Sequence, residues 1–462
     1  MSRPSQHHRQ RRVALAAAAV LPLAIAPIAV ASPALANPGT AVTSGTATTA
    51  AATASANANS GNGKVSVGYL TQWGIYSGFY EKNLVTSGAV KKLTEIDYAF
   101  SNIAPDGTCA SADSWADWQK PVAAADSVDG TADTGAQAIA GNFNQLRELK
   151  KAYPNLKIVM SIGGWSESTN FSAAAATPQS RAKFAQSCID MYIKGNLPGV
   201  APGAAAGIFD GVAIDWEYPD EVGDGNPHGP QDTHDFTLLL QELRNQLDAA
   251  GRAADRRYLL TADMPAGPEN VSHIEVGPVS RIVDWMNVMT FDFHGTWETT
   301  GPTNFQSNLF PSPFDPAPRA TPSDPYPVNG EISTLEVVAN YLRQGASPNK
   351  IAISVPFYAH GWTGVAPGPN GDGLYQPATG VATDIEYNQI AAEPGTVHHD
   401  PITGAAYKYD PASKTFWTYD DPQSIQEKVL FIKALGLRGD MTWSLDGDTA
   451  DGQLVNAFGF GK

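Results

Sequence analysis

The chain has 462 residues, enough for one large barrel or for two to three ordinary domains. Its 46 acids outnumber its 30 lysines and arginines, for a formal charge of −16. A body this acidic does not hold nucleic acid or anionic lipid through bulk charge, and a neutral, polar partner suits it better.

The first predicted element is not part of a fold. Arg3, Arg9, Arg11 and Arg12 precede an almost wholly apolar run from Val13 to Ala31, and Ala34-Leu35-Ala36 offers small residues for cleavage. Residues 1–36 read as a secretory signal peptide. Arg11-Arg12 leaves Sec and twin-arginine export both open. An uncleaved membrane anchor is the alternative, against which Pro22, Pro27 and the cleavage-like ALA weigh. Loss of this segment removes four Arg and no acid, taking the charge from −16 to −20. Residues 37–63 carry no aromatic and no charge and read as a flexible linker. The mature protein is expected outside the cell, free of the membrane and monomeric.

From Lys64 to Lys462 a grammar repeats: a short β-branched or apolar run, a loop, a helical stretch. Eight runs are present: Val65–Thr71, Ile96–Ser101, Lys157–Gly163, Gly211–Trp216, Tyr258–Met264, Trp285–Phe291, Ile351–Tyr358 and Gly439–Leu445. Strand alternating with helix predicts a parallel sheet, and eight units predict a (β/α)8 TIM barrel over residues 64–462. One interval, between the seventh and eighth runs, is too long for a barrel connection. Short strand-like stretches within 361–422 predict a small α+β insertion there, with a helix around Ile385–Ala392. Helix Gln423–Leu435 then returns the chain to the barrel. Cys109 and Cys188 fit either a disulfide or two separate thiols, because sequence gives no distance between them. Neither has metal-site spacing, His398-His399 reads as a solvated loop, and no metal or organic cofactor is implied.

The fourth run carries the chemistry. In GIFDGVAIDWEYP (Gly207–Pro219), Val212, Ile214 and Trp216 alternate with Ala213, Asp215 and Glu217, so apolar and acidic sets take opposite faces. An open antiparallel strand with its acids in water would show the same pattern. Against that, the acids end the run, where parallel barrels place their reactive groups.

These residues resemble the catalytic strand of glycoside hydrolase family 18, the chitinase family, with pattern DGxDxDxE. Asp210, Gly211, Asp215 and Glu217 match, and Ala213 stands where the family has its middle Asp. The resemblance runs from about Val65 to Phe460. It implies chitin or N-acetylglucosamine oligosaccharides as substrate, with the sugar's own 2-acetamido oxygen as nucleophile. Glu217 would then be the general acid and Asp215 the group that holds the acetamide, with Asp210 and Asp292 completing the acidic set. SIGGW (Ser161–Trp165) implies a serine near the acidic strand and Trp165 on the leaving-group side. MTFDFHG (Met289–Gly295) is similar to the family's MxYD, with Phe291 in place of its Tyr. VPFYAHGW supplies Tyr358 but has Ala359 and His360 for Gly and Arg. Trp443 resembles the tryptophan flooring the subsite of the cleaved sugar, and Tyr69 and Phe100 resemble aromatics lining it.

The departures at Ala213, Phe291 and His360 imply a weakened or specialised hydrolase. Loss of the acid at 213 is expected to favour ionisation of the remaining pair. Two other readings stay open: a chitin-binding, lectin-like protein that does not cut, and an endo-β-N-acetylglucosaminidase acting on glycoprotein glycans.

Overall fold

A computed structural model describes residues 63–461. The signal peptide and all of the linker except Gly63 lie outside the described residues. Eight parallel strands close on themselves: Val65–Thr71, Glu95–Ile103, Lys157–Gly163, Gly211–Asp215, Leu259–Met264, Trp285–Val288, Ile351–Pro356 and Gly439–Trp443. The first strand pairs with both the second and the eighth, through Val67 opposite Glu95 and Val65 opposite Gly439. This is the predicted (β/α)8 barrel. Its strands read as near-continuous apolar runs because helices cover their outer faces.

The fourth strand shows how the faces divide. Val212, Ile214 and Trp216 point into the layer between strands and helices, where Trp216 stacks on Phe171 at 5.3 Å and meets Phe236 edge-on at 5.8 Å. Phe236 opens the apolar stripe of helix Asp232–Ala254, whose Phe236, Leu239, Leu240, Leu243 and Leu247 are all buried. That spacing puts one face of the helix on the barrel. Ala213 and Asp215 are left facing the barrel interior.

The second sheet differs from expectation at its start. It begins at Tyr358, not Gly361: strand Tyr358–Thr363 follows the seventh barrel strand after Phe357 alone. Antiparallel strands Gly380–Val381, Ile385–Glu386, Thr396–His399, Ala406–Asp410 and Thr415–Tyr419 complete it. The predicted helix is the single turn Tyr387–Ile390. His398 and His399 are strand, not loop: His398 stacks on Tyr407 and His399 pairs with Asp421. A second long excursion, residues 289–333, was not anticipated. It is irregular, yet Phe305 within it packs into the same apolar cluster as Trp362, Tyr407, Tyr409 and Phe416 of the second sheet.

Helix Pro422–Leu435 returns the chain to the barrel. Asp421 caps it by accepting from the N–H groups of Gln423 and Ser424 at 3.0 Å each, and Gly436 ends it at φ 68°. The question of the cysteines is answered by a Cys109–Cys188 disulfide with a Cα separation of 5.0 Å. It joins Cys109–Ser111, a short strand antiparallel to the second barrel strand, to the end of helix Pro178–Cys188. No helix among the described residues is long and apolar enough to cross a membrane.

Candidate active site

A groove of about 1120 Å³ opens over the C-terminal ends of the barrel strands. Asp215, Glu217, Asp292, Tyr69, Phe100, Trp165, Met289, Phe291, Tyr358 and Trp443 all line it. Every sequence-predicted site residue is there except one. Asp210 sits at the other end of the barrel, where it is 2% exposed, paired with Lys150 at 2.6 Å and with Arg256. The reason is strand length: Asp215 lies five residue steps beyond Asp210, about 16 Å at the rise of a strand. Asp210 is therefore a structural ion-pair partner, and its assignment to the catalytic set is corrected.

Backbone contacts fix the two acids that remain. Gly163 and Gly164 have φ of 111° and 88°, and a Cβ on Gly163 would come within 2.1 Å of the Asp215 carbonyl oxygen. Only glycine fits there. The Gly164 N–H donates to that oxygen at 2.8 Å. Ser168 then ties the strand end together: its hydroxyl donates to the Gly164 carbonyl at 2.8 Å and accepts from the Glu217 N–H at 3.0 Å. Asn226 donates to the Glu217 carbonyl at 3.0 Å. The Glu217–Tyr218 peptide is cis, as are Ala99–Phe100 and Trp443–Ser444, each involving a residue that lines the groove.

Electrostatics set the protonation. Burial, with a smaller push from Asp292 and Asp263 and a partial offset from the Tyr218 hydroxyl, raises Glu217 to about 7. Asp215 is held well above the usual Asp range, first by burial and then by Glu217, Asp263 and Asp97. The expectation that Ala213 frees Asp215 of like charge fails here, because Asp263 and Asp97 supply that charge from the fifth and second strands. Asp292 adopts φ 55° and accepts from the Tyr358 hydroxyl at 2.6 Å, and His360 Nε2 lies 2.8 Å away. Burial alone would depress His360. The carboxylates of Asp292 and Asp384 outweigh it and raise the imidazole to about 9, so it stays cationic where the family pattern has Arg.

Aromatic rings pave the floor. Trp443 stacks on Phe100 at 5.4 Å and 17°, with Tyr69 at 5.3 Å and Trp73 at 6.1 Å. Phe291 meets Tyr358 edge-on at 6.1 Å, so the ring missing its hydroxyl stands next to one that has it. Exposed Trp73, Trp165, Trp297 and Tyr326 continue the apolar surface along the groove. Flat apolar faces of this kind suit the C–H faces of sugar rings. Sequence reasoning missed Trp73, Ser168, Asp263, Trp297 and Tyr326. For Asp263 the signal was present, since an acid near the end of an apolar strand is what marked Asp215. Among the described residues no group of three His, Cys, Asp or Glu is placed to hold a metal ion.

Paired carboxyls over an aromatic floor at the mouth of a (β/α)8 barrel define the class as a barrel glycoside hydrolase. The model of the glycosyl hydrolases family 18 matches residues 65–448, and the chain belongs to that family. It is 37% identical over 396 residues to chitinase C of Streptomyces lividans, covering 84% of this chain and 58% of that protein. With chitinase A1 of Niallia circulans it shares 34% identity over 428 residues, 83% of this chain and 56% of the relative. The chain thus spans somewhat over half the length of these relatives. Among solved structures, the catalytic domain of psychrophilic chitinase B from Arthrobacter TAD20 superposes with a TM-score of 0.79 at 38% identity. That match covers 86% of this chain and 94% of the other.

Proposed function

We propose that the protein is a secreted chitinase that hydrolyses β-1,4 links between N-acetylglucosamine units with retention, the substrate's acetamido group acting as nucleophile. The observation that carries this reading is Glu217, half-buried in an aromatic-floored groove with its carboxyl raised to about 7. An acid poised there donates a proton near neutral pH. Glu217 protonates the glycosidic oxygen as the acetamido oxygen closes on the anomeric carbon and the leaving sugar departs. The resulting carboxylate takes a proton from the water that reopens the oxazolinium ring. Asp215 accepts a hydrogen bond from the acetamide N–H and stabilises the positive charge that forms there. Residues 1–36 and the disulfide support action outside the cell.

The test is incubation with a soluble N-acetylglucosamine oligomer, with product lengths and the anomer formed first read by NMR. Shorter products of retained configuration are expected, and Glu217→Gln should slow their formation by about 10²–10⁴-fold. The lectin-like reading has specific support in Ala213 and Phe291, which remove two groups of the family pattern. Binding of the oligomer without products would favour it. Release of intact glycans from a glycoprotein, with the linear oligomer left uncut, would favour the endoglycosidase.

A further inference from the structure

The family's strand pattern has an acid at position 213 that this chain lacks, yet the barrel interior beside Ala213 is not short of carboxyls. Ile214 is paired with Ala262 across the fourth and fifth strands. The next residues along, Asp215 and Asp263, therefore lie level on neighbouring strands, about 4.8 Å apart in the hydrogen-bonding direction. Asp263 is 2% exposed. Its Oδ2 accepts from the Tyr69 hydroxyl at 2.7 Å, and that hydroxyl is 3.1 Å from Ser161 Oγ. Ser161 in turn is the register partner of Ala213 on the third strand. Tyr69, itself in contact with Ser161 at the level of Ala213, thus binds an acid that comes from the next strand. Asp215 Oδ1 and Asp263 Oδ1 are both buried and find no donor among the protein's groups. An orphaned buried oxygen is costly, and two anions side by side in a dry interior are costlier still.

We propose that Asp263 is a positioning residue that shares one proton with Asp215, supplied from the next strand where position 213 has no acid. The inference rests on the substrate-assisted reading above. In the resting enzyme Asp215 carries the proton, and Asp263 is the partner held by Tyr69. As positive charge develops on the acetamido group, the proton passes from Asp215 to Asp263, and Asp215 meets the acetamide N–H as an anion. Once water has opened the ring, the proton returns. No proton is gained or lost by the pair over a turnover. The groups facing Asp263 fit this exchange: Tyr69 from the first strand, Asp97 from the second, Asp215 and Glu217 from the fourth, and Asn287 from the sixth. Asp97, held by Asn287 Nδ2 at 3.3 Å and lying beside Glu95, adds like charge to the pair from the second strand.

Asp263→Asn keeps the shape and removes the exchange. It is expected to lower kcat by about 100-fold with KM changed by less than about threefold, whereas a merely structural role would raise KM and lower Tm together. The double variant Ala213→Asp with Asp263→Ala returns the acid to the fourth strand and should recover kcat to within about tenfold of the parent. The proposal is overturned if Asp263→Asn keeps kcat within about threefold, or if the double variant is no better than Asp263→Ala. Infrared titration of the protonated carboxyl band needs no turnover and is run on the parent and on Glu217→Gln. Removing the like charge should move loss of the Asp215 band to lower pH in Asp263→Asn. An unmoved band overturns the shared proton even if the parent cuts no sugar. A parent that cuts no oligomer yet shows the shift would refute only the functional reading.

Discussion

The two ends of the barrel use the same residue type for opposite purposes. At the N-terminal end Asp210 lies among Lys150, Lys157 and Arg256, and Asp284 is paired with Arg257 at 2.6 Å and Arg244 at 3.3 Å. At the C-terminal end Asp215, Asp263 and Glu217 are surrounded by other acids, hydroxyls and aromatic rings. Counter-ions keep a buried carboxylate charged, and their absence lets burial hold it protonated. Asp210 and Asp215 belong to one strand motif, so motif membership does not decide the role of an acid. The local dielectric and the nearest charges decide it.

The largest test of this contrast is Glu217→Gln. It should lower kcat by about 10²–10⁴-fold while leaving thermal unfolding close to that of the parent. In the parent, kcat/KM should fall as pH rises through about 7, where Glu217 loses its proton. A limb that stays put in a variant with altered surroundings, such as Asp292→Asn, would assign it to another group. Asp210→Ala is the mirror experiment. It strips Lys150 and Arg256 of their partner and should cost about 2–3 kcal/mol of stability in a denaturant titration, with activity per folded molecule unchanged. A loss of kcat at unchanged stability would put Asp210 back among the catalytic groups.

Phe291→Tyr supplies the hydroxyl that the family pattern has at that position. A rise in kcat of up to about 10² is expected, and no change would mean that the neighbouring Tyr358 hydroxyl already serves. The smallest effect concerns His360. Its folded value of about 9 lies above the ordinary 6.5, so the stabilisation from its ion pairs is fully present below 6.5 and is lost as pH rises through 9. The Tm difference between parent and His360→Gln should therefore shrink between pH 6 and pH 10. A constant difference would show that the imidazole acts by packing alone.

Much of the fold was legible in the sequence because strands buried on both faces announce themselves as apolar runs. All eight predicted runs overlap the observed barrel strands. The excursion at 289–333 was not legible, since it has neither a helical nor a strand period, and a deep anchor such as Phe305 finds its partners in the second sheet. At the site, acids ending a strand stood out, and so did the glycines before Trp165. Asp263 carried the signal of an acid near a strand end, but TADM does not show the register that sets it level with Asp215. Asp210 misled for the converse reason. A motif gives spacing along a strand, and the four residues between it and Asp215 run nearly the length of the barrel wall.

The bond between Cys109 and Cys188 bears on how the molecule is handled. It fastens the hairpin that extends the strand carrying Phe100, and that hairpin is also held by the pairs Ser101–Ser111, Asn102–Ala110 and Ile103–Cys109, by the Cys109 N–H donating to Ser187 Oγ at 2.8 Å and by Lys183 with Asp106 at 3.1 Å. Material made in a reducing cytosol would lack the covalent fastening just beyond the aromatic floor. The choice of expression host, or an oxidative refolding step, therefore determines which of two species is in the tube when catalysis is assayed.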